Sequence, residues 1–431
     1  MYIRRTHMIV GGTFALSVLL YVDRICISAA AVQMESDLLL SRQQMGWAMS
    51  AFALGYALFQ TPGGWLADRF GPRRILAAIV VSWSIFTGLT GLVFGFIPLL
   101  VTRFLFGAGE AGAFPGMSRA VFSWIPMGNR GLVQGINFSG SRLGAAFALP
   151  IIAIMIASLG WRACFLLLMV IGFIWAIAWY WFFRDDPSEH PTIAPWERDE
   201  ILATRQVPAK QDRKEDRGLA SAMLKSRNMW LISLQYFCSN FTFFFCLTWL
   251  FPHLKETYSL STLEAGLYSS APLICGAIGN WLSGWLVDRI YRNTSWTWSR
   301  RGPAILGFAC AAIGLVCGVW ANTPWSSIIF FSLAIFGADM TLAPSWSFCI
   351  DIGKRNSGVV SGTMNMAGNI GSFITALAFP YLAAWTGSNV PFFFLAAGLN
   401  VLAIVAWLGV NPHRSLQPVE SRTTEKAMCV S

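Results

Sequence analysis

Apolar stretches of about 20 residues, the length a helix needs to cross a bilayer, recur along this chain from one end to the other. They predict twelve membrane-spanning helices, at 8–31, 45–67, 75–95, 97–120, 131–158, 163–183, 229–252, 264–287, 302–320, 326–350, 358–385 and 390–410. The first follows basic residues in MYIRRTHMIVGGTFALSVLLYVDR, as the apolar run of a secretory leader would. It is too long for a leader, and no small-residue cleavage site follows it cleanly. One long polar stretch interrupts the pattern, RDDPSEHPTIAPWERDEILATRQVPAKQDRKEDRGLASAMLKSRN at 184–228, whose charges suit a solvated linker with short surface helices. The expected organisation is a six-helix bundle at 1–183, a cytoplasmic linker at 184–228, a second six-helix bundle at 229–411 and a cytoplasmic tail at 412–431.

The two halves repeat one another. GGWLADR at 63–69 returns as SGWLVDR at 283–289, which sets Asp68 and Asp288 220 residues apart. Glu110, followed five residues later by Pro115, is echoed by Asp339 and Pro344 at an offset of 229. NRGLVQG at 129–135 is echoed by NSGVVSG at 356–362, an offset of 227. Similar offsets with small changes at loops are what duplication followed by insertion and deletion leaves. The fold class expected is an all-α membrane protein, its twelve helices in two pseudo-symmetric six-helix bundles about an axis normal to the membrane, with a cavity between them.

Composition agrees with the pattern. Of 431 residues, 55% are hydrophobic and 12% charged, where a soluble domain carries roughly 25% charged residues. The mean hydropathy is +0.55. A formal net charge of +10 would suggest nucleic acid in a soluble protein, but here its placement explains it. With the N-terminus inside, Arg42, Arg162 and Lys255 fall on the far side and Arg24, Arg103 and Arg142 within spans. The rest of the 31 lysines and arginines are cytoplasmic, the positive-inside bias. We therefore expect a multi-pass protein of a bacterial inner membrane with both termini cytoplasmic, partnered by the lipid bilayer and not by nucleic acid. Most of the nine cysteines sit in spans without a CxxC pair and read as small core residues, and the four scattered histidines indicate no metal site. Many of the 20 tryptophans and 33 phenylalanines fall near span ends or in lipid-facing runs, where interfacial belts and lipid contact explain them.

Ionisable groups are expensive in hydrocarbon, so those within spans normally pair and line a wet cavity. Arg24, Arg103 and Arg142 stand at membrane depth with Asp23, Glu110 and Asp339, a formally balanced set. Tyr21, Arg24 and Ser28 share one helical face, and the planar fork of Arg24 suits a carboxylate, so it is the expected principal anion ligand. The other reading of Arg24 is a permanent salt bridge with a protein carboxylate. Asp23 points about 100° away around the same helix. Glu110 shares a face with Arg103 two turns earlier, which allows either a protonatable carboxyl or a static Arg103–Glu110 brace. Arg142 either meets a second substrate carboxylate or pairs with Asp339 or a backbone carbonyl. In the second half, Gln235 and Ser239 share a face, Asn240 adjoins them, and Asn365 and Asn369 form an i, i+4 pair of neutral hydrogen-bonding groups.

GGWLADRFGPRR at 63–74 resembles the signature loop of the major facilitator superfamily: a Gly, four residues on an Asp-Arg, then a Gly and two basic residues. Five further segments resemble its anion:cation symporter group: LLYVDRICIS, RFLFGAGEAGAFPG, YFCSNFTFFFCLTWLFPHL, PSWSFCIDIG and GTMNMAGNIGS. The resemblance implies a major facilitator fold, a monomer, and proton-coupled symport of a small organic carboxylate by alternating access, with protons as coupling ion and no cofactor. It implies that Gly64, Asp68, Arg69 and Arg73, and in the second copy Asp288 and Arg289, form a latch between bundles in the outward-open state. It places proton coupling on Glu110, assisted by Asp23 and next to Arg103. It makes Tyr21, Tyr56, Gln235, Asn240, Ser345, Trp346 and Asn365 substrate contacts beside Arg24 and Arg142, although each alone is also an ordinary interhelical tie. Arg142 departs from the group, whose sugar-acid permeases often carry a neutral residue such as Gln there. Sugar acids (hexonates, hexuronates, aldarates) come first as substrates, then carboxylates such as phthalate or tartrate, with organic-anion or drug export by antiport as the alternative function. An enzyme is not expected, since HExxH, GxSxG and a Cys/His cluster are all missing.

Overall fold

The structure, a computed structural model, describes residues 4–206, 218–260 and 262–416. The 207–217 part of the expected linker and the expected tail beyond 416 lie outside the described residues, as does the side chain of Arg42. The first half contains α1 (Arg5–Asp37), α2 (Arg42–Phe70), α3 (Pro72–Leu92), α4 (Phe96–Glu110), α5 (Ala113–Trp124), α6 (Arg130–Leu159) and α7 (Trp161–Phe182). The linker holds α8 (Pro195–Thr204) and α9 (Leu219–Lys225). The second half contains α10 (Arg227–Thr248), α11 (Leu250–Tyr258), α12 (Thr262–Asn293), α13 (Trp296–Val319), α14 (Pro324–Met340), α15 (Leu342–Gly353), α16 (Ser357–Thr386) and α17 (Val390–Gly409). No strand occurs among the described residues.

Three of the membrane-length rods are broken: α4 continues into α5, α10 into α11, and α14 into α15. A proline accompanies each break, its ring displacing the carbonyl four residues back and offering no N–H to it, although Pro62, Pro272, Pro303 and Pro380 stand inside unbroken helices. Pro115, Pro252 and Pro344 stand four residues beyond Ala111, Thr248 and Met340, and the helices stop at Glu110, Thr248 and Met340. Two of these breaks leave an acid, Glu110 or Asp339, in the last turn before the break, at equivalent places in the two halves. With these joins counted, the described residues form twelve rods, six in each half.

Eight stretches are long and apolar enough to cross a membrane by length and composition alone, and Pro324–Thr386 runs through two rods. α2, α12 and all but the end of α6 fall outside these stretches, and they carry Gln60, Asn137, Arg142, Asn280 and Asp288 buried in the protein interior. The burial pattern inverts that of a soluble protein: Phe147, Ile154, Trp181, Phe373 and Trp385 are exposed, whereas Asp23, Arg103, Glu110, Arg130, Arg142, Arg300, Asp339 and Asp351 are buried.

Within the first half α1 lies along α6, α2 along α4 and α3 along α7; within the second, α10 lies along α16 and α13 along α14 and α17. Across the halves, α2 lies along α16 and α6 along α12, two contacts that the internal repeat exchanges with each other. The repeated motifs therefore meet crosswise, GGWLADR on NSGVVSG and SGWLVDR on NRGLVQG. Glycine permits this approach. A Cβ on Gly64 would lie 2.2 Å from the Gly358 carbonyl oxygen, and one on Gly135 would lie 2.3 Å from that of Asn280.

Candidate functional site

Between the bundles lies a cavity with about 520 Å³ of empty space, counted together with its solvent-open part, to which both halves contribute. Of the expected substrate contacts, Tyr21, Arg24, Tyr56, Arg142, Asn240, Trp346 and Asn365 line it. Asn369, Ser239 and Asp339 line it too, and so do Tyr236, Phe114, Phe138 and Phe243, which the sequence did not single out. Gln235 and Ser345 do not. Gln235 is fully buried, donates to the Ile232 carbonyl at 2.9 Å and accepts from the Trp407 indole at 3.1 Å. The Ser345 hydroxyl donates to the Thr341 carbonyl at 2.6 Å and lies 3.3 Å from the Gln235 amide oxygen. Both are ties within the second bundle. One residue turns a helix by about 100°, which places Tyr236 and not Gln235 on the cavity side of α10.

Arg24 binds a protein carboxylate. Its Nε donates to Glu110 Oε1 at 2.6 Å, and Nη2 contacts the same oxygen. The guanidinium lies against the rings of Tyr21, Phe52 and Tyr56, with centroids at 5.0, 5.3 and 4.4 Å. Glu110 is fully buried and stands behind Arg24, outside the cavity lining. The Arg103–Glu110 brace considered from the sequence is not formed. Arg103 sits over the rings of Phe52 and Phe106 at 5.2 and 4.6 Å, with no carboxylate within ion-pair distance among the described residues. Asp23 is buried, and among the described residues neither of its oxygens receives a well-formed hydrogen bond.

Arg142 is engaged as well. Its Nε and Nη2 take the two carboxylate oxygens of Asp339 at 2.7 and 2.5 Å, its Nη1 lies 3.4 Å from the Tyr21 hydroxyl, and Phe243 covers its guanidinium at 3.7 Å. Arg142 belongs to α6 and Asp339 to α14, so this fork-to-fork pair joins the bundles across the cavity. Deeper ties follow: Asn365 donates to Gln60 Oε1 at 2.6 Å, and the hydroxyls of Thr61 and Thr363 lie 3.2 Å apart.

The end of the molecule that carries the basic turns is shut. Asp68, on α2, accepts from the backbone N–H of Gly358 and Val359 at 2.9 and 2.7 Å, capping α16 of the other bundle. Asp288, on α12, does the same for α6 through Gly131 and Leu132, both at 2.8 Å. Gly64 is where α2 touches α16. Arg69, Arg73 and Arg289 were expected in the latch but stay on their own bundles. Arg69 lies over Trp65 and Phe70, Arg289 lies over Trp285, and Arg73 donates to the Tyr180 carbonyl at 2.9 Å. They follow the capping acid past the interface, where the helix turns its next residues outward. Arg292 crosses instead, donating to the Gly128 carbonyl at 3.0 Å. Replacing Gly64 by valine should cut initial uptake about tenfold or more, because the side chain meets backbone rather than a movable side chain and costs about 1–3 kcal/mol. Uptake at equal membrane abundance measures this, and wild-type rates would show that the close approach is dispensable.

A second polar cluster below the cavity was missed by sequence reasoning. Arg130 and Arg300, both fully buried, bind the two oxygens of Asp351 at 2.8 Å each. The Trp296 indole donates to Asp351 at 2.8 Å, and Gln206 of the linker accepts from Arg130 at 2.9 Å.

The sequence pattern described as "Major Facilitator Superfamily" matches residues 13–376. The chain belongs to the major facilitator superfamily. Among curated relatives, it is 33% identical to "Probable sulfoacetate transporter SauU" of Cupriavidus necator, over 98% of each chain. It is 32% identical to "Probable galactarate/D-glucarate transporter GudP" of Escherichia coli, over 96% of this chain and 95% of that one. It is 31% identical to "Hexuronate transporter" of Bacillus subtilis, over 91% and 92%. Two solved structures share the major facilitator fold. FucP in the outward conformation matches with a TM-score of 0.72 at 15% identity, over 94% of this chain and 99% of that one. The proton:xylose symporter XylE matches at 0.71 and 16%, over 97% and 98%. This facilitator is thus an integral-membrane transporter with organic-acid carriers as relatives, and it is not an enzyme.

Proposed function

We propose that this chain carries out proton-coupled symport of a small organic anion, a sugar acid before other carboxylates, by alternating access. The observation behind this reading is the Arg24–Glu110 pair at the cavity wall: one guanidinium faces the cavity, and a protein carboxylate holds it from behind. A substrate carboxylate and Glu110 compete for the same fork. A proton on Glu110 removes the competitor, so anion and proton load together. Asp23, buried nearby without an ion-pair partner among the described residues, is a second station for the proton, and Arg103 stands on the same helix as Glu110. Tyr21, Tyr56, Asn240 and Asn365 offer hydroxyls and amides suited to a polyhydroxylated chain.

The closed basic end and open cavity correspond to a state that loads from the opposite face. With more protons than anion charges entering, each net elementary charge crossing 100 mV supplies about 2.3 kcal/mol for accumulation. Proteoliposomes bearing Glu110→Gln should fail to accumulate D-glucarate against its gradient under an imposed proton-motive force, with monodispersity in detergent as the folding control. Accumulation to the wild-type level would remove Glu110 from the coupling step.

A further inference from the structure

We propose that the transported species is a dianion, one acidic group of which replaces Glu110 on Arg24 while the other replaces Asp339 on Arg142. The inference rests on reading the cavity as an organic-anion site and adds the class of anion.

Two guanidiniums line one cavity, and a single tyrosine separates them: Arg24 lies 5.0 Å from the Tyr21 ring, and Arg142 Nη1 lies 3.4 Å from the Tyr21 hydroxyl. Each is occupied by a protein carboxylate in this structure. Arg142 presents its Nε–Nη2 edge to Asp339, the same edge that a substrate carboxylate would take. Phe243 fixes the plane of the guanidinium from one side. The lining thus carries two cations against one anion, Asp339, with Glu110 behind the wall.

A purely architectural role explains this pair poorly. Buried ion pairs add little net stability over neutral substitutes, and the Gln60–Asn365 amide pair already ties the same bundles without charge. A charged tie in contact with the cavity, whose negative member resembles an acidic cargo, is exchangeable in a way that the amide tie is not. Its position also gives exchange a consequence. Arg142 stands on the first bundle, and Asn240, Trp346 and Asn365 line the cavity from the second. A dianion that displaces Asp339 becomes the link between bundles, whereas a monoanion held by Arg24 leaves the Arg142–Asp339 tie in place. The second acidic group is therefore what rearranges the contact between the halves.

The test is equilibrium binding of D-gluconate and D-glucarate to the purified full-length protein in nanodiscs. The two probes share a six-carbon hydroxylated chain and differ in the terminal acid. Wild type should prefer glucarate by about tenfold or more, the size of one charge-assisted pair. Arg142→Gln should bring the ratio of the two affinities close to unity. Asp339→Asn, which empties the fork without removing it, should raise the ratio above wild type. If both substitutions instead move the two affinities in parallel, the pair is only a tie and the dianion inference is overturned while anion symport stands. Binding of neither probe to any of the three proteins would overturn the sugar-acid reading and the dianion inference along with it.

Discussion

Replacing Asp351 with asparagine should destabilise the protein by about 3–5 kcal/mol, the cost of leaving a buried charge without its partner. Asp351 is the carboxylate shared by Arg130 and Arg300; both arginines are fully buried, and each is held at 2.8 Å. The substitution nearly preserves shape and leaves the Trp296 indole an acceptor, so loss of charge is what it measures. Thermal unfolding in detergent should show a lower midpoint, and the yield of monodisperse protein should fall. An unchanged midpoint would mean that water, not Asp351, balances the two guanidiniums. The cluster joins α6 of the first bundle to α13 and α15 of the second and recruits Gln206 from the linker.

Arg24→Lys should reduce initial uptake on the order of a hundredfold while leaving the protein folded. Lysine keeps the charge but loses the fork and the flat face. Arg24 uses two nitrogens on Glu110 and stacks among Tyr21, Phe52 and Tyr56, and an ammonium cannot hold both positions. A charge-assisted hydrogen bond contributes about 1.5–3 kcal/mol, so one lost bond alone approaches this effect. Uptake into proteoliposomes at matched protein density measures it. A lysine variant with near wild-type rates would show that a point charge suffices and that the planar geometry is incidental.

How much of this was legible in the chain depends on the kind of contact. The twelve rods announce themselves as apolar runs, and the Asp68 and Asp288 caps do so as repeated motifs, because both are local or duplicated patterns. The breaks were not readable: 97–120 and 326–350 were expected as continuous spans, and Pro62, Pro272, Pro303 and Pro380 stand inside unbroken helices, so a proline alone does not mark where a rod divides. Partners were not readable. Glu110 shares a helix face with Arg103, but its counter-charge is Arg24, 86 positions away, and one sequence cannot rank a contact between separate helices. Gln235 and Tyr236 are adjacent, and an error of one residue in the phase of α10 exchanges which of them meets the cavity. Arg130 and Arg300 were counted among the basic turns that set orientation, since a charge at the end of a span looks the same whether it faces water or folds inward on Asp351.

The two crossed caps, Asp68 on α16 and Asp288 on α12's partner α6, flank the same closed end and have the same chemistry. Each is a modest bond, about 1 kcal/mol by the usual cost of losing a helix cap. Fastenings so weak and so alike need not part together. The loss of either one leaves its twin and the Asp351 cluster still fastened, so this end parts fully only when all three have let go.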